Sequence, residues 1–101
     1  MTPPVRSTVV NLMGRLRGGG HSAEEAYLRE WTRSHAGVEA FVEPRTAVSD
    51  VTVVLVAHDG EWTRRRVPSA AWAHEFANSN GIASYDAAVV GYPKRMRYYN
   101  Q

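Results

Sequence analysis

Apolar and polar positions along this chain alternate with two distinct periods. Thr52–Ala57 reads Thr-Val-Val-Leu-Val-Ala, a β-branched and aliphatic run that suits a pleated strand covered on both faces. Asp59-Gly60 follows as a hairpin signal, and Trp62–Val67 reads as a second strand carrying Arg64, Arg65 and Arg66 in succession. A two-residue type I′ loop at Asp59-Gly60 sets His58 opposite Glu61, Ala57 opposite Trp62, Leu55 opposite Arg64 and Val53 opposite Arg66. Trp62, Arg64 and Arg66 are then expected on one face with Val53 and Leu55, and Thr63 and Arg65 on the other with Val54 and Val56. Upstream, Val38–Glu43 alternates and stops at Pro44, and Thr46–Asp50 loops into the apolar strand, so the three strands form an antiparallel meander.

Helical spacing brackets this meander. Ser22-Ala-Glu-Glu25 reads as a capping box opening a helix whose apolar stripe is Tyr27, Leu28 and Trp31, ended by Gly37. Pro68-Ser69 opens a second helix, with Ser69 as N-cap, Trp72, Ala73, Phe76 and Ala77 as its apolar side, and Gly81 just past its end. Ile82–Tyr85 follows as a short fourth strand. The intervening helix predicts that it runs parallel to the arginine strand or its alternate neighbour through a right-handed crossover. The fold class is therefore α+β: a three-stranded antiparallel meander plus a fourth strand and two helices, in the order α-β-β-β-α-β. Residues 1–21, with Pro3-Pro4, a short amphipathic stretch at Ser7–Arg17 and Gly18-Gly19-Gly20, read as a flexible basic arm ahead of a single small domain at 22–101.

Composition narrows the classes. The 101 residues are enough for one domain with a small core. The absence of cysteine excludes disulfides, thiolate chemistry and cysteine-based metal sites. No apolar run approaches the roughly 20 residues that span a bilayer, and the N-terminal stretch lacks a leader-like apolar region, so a cytoplasmic protein is the default expectation. The net charge of +2 is unevenly spread: residues 1–20 carry +3, residues 21–61 carry −5 and residues 62–101 carry +4. Basic flanks around an acidic middle imply either self-association or an anionic partner.

Three blocks, GVEAFVEPRTAV, TVVLVAHDGEWTRRRV and YDAAVVGYPKRMRYYN, are similar to segments of a family of small uncharacterised proteins of high-GC Gram-positive bacteria, over roughly residues 37–101. Some members of that family carry an oxidoreductase label, which the resemblance alone implies and no residue of this chain supports. No catalytic residue is carried over.

The motifs of cofactor chemistry are missing. There is no G-x-G-x-x-G and no P-loop, and Gly18-Gly19-Gly20 does not follow a strand, so no cofactor is expected. His58, Asp59 and Glu61 gather around one turn, but the turn itself demands Asp59, so no metal site is assigned. The richest constellation is basic and aromatic: Arg64, Arg65, Arg66, Lys94, Arg95 and Arg97 with Tyr92, Tyr98 and Tyr99. Guanidinium groups grip phosphates and tyrosine faces stack bases, while the same set anchors protein interfaces. A non-enzymatic interaction module for RNA or an acidic protein complex is the leading expectation. The alternative is a small-ligand or accessory enzyme site near Tyr85, Asp86 and Tyr92, with Asp86 as a ligand or catalytic carboxylate, or as a loop cap.

Overall fold

A computed structural model describes residues 21–99. Expectations for residues 1–20, the basic arm and the Ser7–Arg17 stretch, lie outside the described residues. The elements are α1 (His21–Ser34), β1 (Glu39–Glu43), β2 (Thr52–Val56), β3 (Trp62–Arg66), α2 (Ala70–Ser79), β4 (Ser84–Asp86) and two short C-terminal helices, α3 (Ala87–Val90) and α4 (Lys94–Tyr99). The four strands make one mixed sheet in the order β3-β2-β1-β4. β1, β2 and β3 form the antiparallel meander, and β4 pairs parallel to β1, the strand that runs in the same direction as β3. The α+β reading and its element order hold, with two further helical turns in the tail.

The central strand explains the architecture. Val53, Val54, Leu55 and Val56 are all fully buried, so β2 needs cover on both faces. One face carries Val53 and Leu55 with Ala40 and Val42 of β1, and packs against Leu28 and Trp31 of α1 and Ala73, Phe76 and Ala77 of α2. The opposite face carries Phe41, Val54 and Val56 and is closed by Trp62, Tyr85, Ala87 and Met96. Burying these apolar side chains is the main source of stability, at about 1.5–3 kcal/mol for each large one.

The hairpin register differs from the expected one by one position. Val56 lies opposite Trp62, Val54 opposite Arg64, Val53 opposite Arg65 and Thr52 opposite Arg66. The cause is the turn. A type I′ loop requires a positive φ at Asp59, and no non-glycine residue among those described has one. Instead, Gly60 N–H donates to Ala57 C=O (3.0 Å), Ala57 N–H donates to Glu61 C=O (2.8 Å), and Gly60 alone is left-handed at φ +98°. This is a type I turn followed by a left-handed glycine, a three-residue hairpin loop, and Asp59 Oδ1 reinforces it by accepting from Glu61 N–H at 3.0 Å. A shift of one residue exchanges the faces. Trp62, Arg64 and Arg66 therefore sit with Val54 and Val56, and Thr63 and Arg65 with Val53 and Leu55.

The helix ends are legible, with one exception. Ser69 caps α2 by accepting from Trp72 N–H at 3.0 Å. At the other end Ile82 N–H reaches Ala77 C=O and Gly81 N–H reaches Asn78 C=O, a Schellman closure that uses the left-handed Gly81. Ser22, expected as a cap, lies inside α1, which already includes His21.

Candidate functional site

The second face of the sheet is organised by two carboxylates that the alternation of β1 places on it. Glu39, Phe41 and Glu43 point the same way, toward α3 and α4. Glu43 accepts from Arg64 Nε at 2.8 Å and Nη2 at 3.0 Å, a bidentate pair, and from Thr52 Oγ1 and the Tyr92 hydroxyl. Burial alone raises the pKa of this carboxyl, but the donors from Arg64, Thr52 and Tyr92 outweigh it and hold the group at about 2. The same pairing raises the pKa of the Arg64 guanidinium. The Tyr92 hydroxyl is pushed up, first by burial and then by the Glu43 carboxylate.

Glu39 does the equivalent work two repeats of the pleat away, on the other side of Phe41. It accepts from Arg95 Nη2 at 2.7 Å and from the Tyr85 hydroxyl at 3.2 Å, and this bond raises the Tyr85 pKa. Arg95 also donates through Nε to Ala57 C=O at 2.9 Å, tying α4 to the hairpin. At the tip, a Cβ on Gly60 would stand 2.1 Å from the Arg95 carbonyl oxygen, so α4 rests directly on the turn.

These contacts divide the sequence-expected cations into two groups. Arg64 and Arg95 are bound to the molecule's own carboxylates. Arg65 lies 3.8 Å from the Tyr27 ring centroid and donates to the Arg64 carbonyl. Arg66 is 76 % exposed, with Asp50 at 3.6 Å as its only ionic neighbour among the described residues. Lys94 and Arg97 are exposed on α4, and no ion pair joins either to another described residue. Tyr98 is 61 % exposed, Tyr99 46 % and Tyr92 45 %, and Val89 and Val90 are exposed as well. The displayed basic and aromatic residues are therefore Arg66, Lys94, Arg97, Tyr92, Tyr98 and Tyr99, fewer than the sequence implies.

The residues of the alternative site separate. Tyr85 and Tyr92 share a cleft of 220 Å³ with Glu39, Phe41 and Pro93. Asp86 is not part of it. Its Oδ1 accepts from Ala88 N–H at 3.0 Å, capping α3, which is the loop-cap role. The turn cluster also disperses: Glu61 pairs with His35 Nε2 at 3.1 Å rather than with His58, and Asp59 is occupied by its own turn.

Sequence reasoning missed Glu39 and Glu43 as the anchors of the tail, although their i, i+4 spacing on a strand puts them on one face. It also missed a hollow of 230 Å³ lined by Trp62, Tyr92, Pro93, Met96 and Arg97, and a hydrogen bond between His74 Nδ1 and Ser84 Oγ (2.6 Å) that ties α2 to β4. Met96 gave no signal, because a six-residue helix is too short to show a period. Comparison with family models, curated proteins and solved structures finds no match to the chain. Among the described residues no helix is long and apolar enough to cross a membrane.

Proposed function

We propose that this chain is a non-enzymatic interaction module that engages an anionic partner in the cytoplasm, through the exposed end of β3 and the surface of α4. The observation that carries this reading is the display of Lys94 and Arg97 beside Tyr92 and Tyr98, with no carboxylate among the described residues paired to either cation. Arg64 and Arg95 belong to the scaffold of that surface. Arg66 extends it along the sheet edge, where charge also discourages another strand from pairing.

The test is fluorescence anisotropy with labelled oligouridylate and labelled polyglutamate across a salt series. Three displayed cations correspond to a slope of roughly −2 in log K against log salt for single-stranded nucleic acid. Arg66→Glu, Lys94→Glu and Arg97→Glu should each weaken binding without lowering the melting temperature. Absence of binding to both probes at low salt refutes the proposal.

The alternative, a small-ligand or accessory enzyme site near Tyr85, Asp86 and Tyr92, has less support. Tyr85 and Tyr92 do meet over Glu39, but their cleft of 220 Å³ falls below the roughly 300–1,000 Å³ of small-molecule sites, and Asp86 faces its own helix.

A further inference from the structure

The two hollows beside Tyr92-Pro93 differ in charge and therefore in what they admit. The cleft containing Glu39 has a carboxylate in its lining. The 230 Å³ hollow does not: it is formed by Trp62, Tyr92, Pro93 and Met96, with Arg97 as its only charged wall. Trp62 and Met96 are half-buried against Phe41, Val54 and Val56, so the floor of the hollow is continuous with the core of that face. An apolar floor under a displayed guanidinium suits an aliphatic side chain flanked by carboxylates.

Within the hollow, the same geometry disfavours a stacked base. Base stacking needs free ring faces, and the Arg64 guanidinium already lies over the Trp62 ring, 5.3 Å from its centroid. The Tyr92 ring lies against Phe41, with centroids 6.3 Å apart, and its hydroxyl is spent on Glu43. Arg64 and Arg95, two of the six cations of the sequence's basic set, are both held by carboxylates.

Building on the interaction reading above, we infer that the partner is an acidic polypeptide segment that seats one large aliphatic side chain in the Trp62–Met96 hollow and places its carboxylates on Arg97 and Lys94. The anchor fills the hollow, and the two cations fix the segment's direction across α4.

The full chain, labelled with nitrogen-15, is titrated with three probes: a peptide of aspartate and glutamate around one leucine, the same peptide with alanine for leucine, and oligouridylate. The leucine peptide is expected to shift the Trp62 indole resonance, and to bind about tenfold more tightly than the alanine peptide, the change expected for burying a leucine side chain. Arg97→Glu should weaken the leucine peptide by a comparable factor with an unchanged far-ultraviolet spectrum. Equal affinity for the two peptides overturns the anchored segment and leaves the anionic-partner reading in place. Binding of oligouridylate with both peptides silent overturns it in favour of a nucleic acid. Silence from all three overturns both.

Discussion

Replacing Glu43 by glutamine tests whether the second face is held by charge. At neutral pH the carboxylate receives two bonds from Arg64, one from Thr52 and one from Tyr92, and its side chain is only 17 % exposed. Glutamine keeps the shape but offers one acceptor oxygen and leaves the guanidinium uncompensated. The carboxyl is held at about 2 against an ordinary value of 4.5. A depression of that size corresponds to about 3 kcal/mol at full strength. Arg64 is 43 % exposed and solvent screens the pair, so the expected loss is on the order of 2 kcal/mol. Because the folded pKa lies below the unfolded one, this contribution is complete above pH 4.5 and vanishes as the pH falls through about 2. Urea unfolding of both proteins, followed by circular dichroism from pH 7 to pH 2, is the assay. The variant should be about 2 kcal/mol less stable at pH 7, and the gap should close at the acid end. Parallel curves, with the gap unchanged at pH 2, would refute the account.

Three further outcomes follow from the packing. Gly60→Ala places a Cβ against the Arg95 carbonyl at a φ of +98°, so it should cost about 2 kcal/mol or more and release the amide protection of α4 in hydrogen exchange. Leu55→Ala empties a fully buried site at the centre of the sheet and should cost about 2–5 kcal/mol in denaturant unfolding. Ser69→Ala removes the α2 cap and should cost about 1 kcal/mol, and a glycine there should restore most of it. A melting temperature unchanged by Ser69→Ala would show that the cap contributes nothing.

Much of the fold was legible because local signals and tertiary needs agree. The β2 run is apolar on both sides and is covered on both sides, and Ser69 and Gly81 bound α2 where their chemistry predicts. The register was not legible, because Asp-Gly serves both a two-residue and a three-residue loop. Only the backbone decides between them, and it keeps Asp59 right-handed. The site was less legible for a related reason. A row of arginines declares its charge but not its partner, and the partners Glu43 and Glu39 lie 21 residues before Arg64 and 56 before Arg95 in the chain. Such pairing appears only once β1 is seated beside β2 and the tail has folded back over it.

That folding back has a consequence for synthesis. A chain emerging from a ribosome presents Glu39 and Glu43 long before Tyr92 and Arg95 exist to meet them. The meander and its first two helices can therefore assemble early, while the far side of the sheet stays wet until Tyr92, Arg95 and Met96 emerge to cover it. A released chain truncated after Pro93 should accordingly be cleaved faster around β1 than the same chain carried through Tyr99.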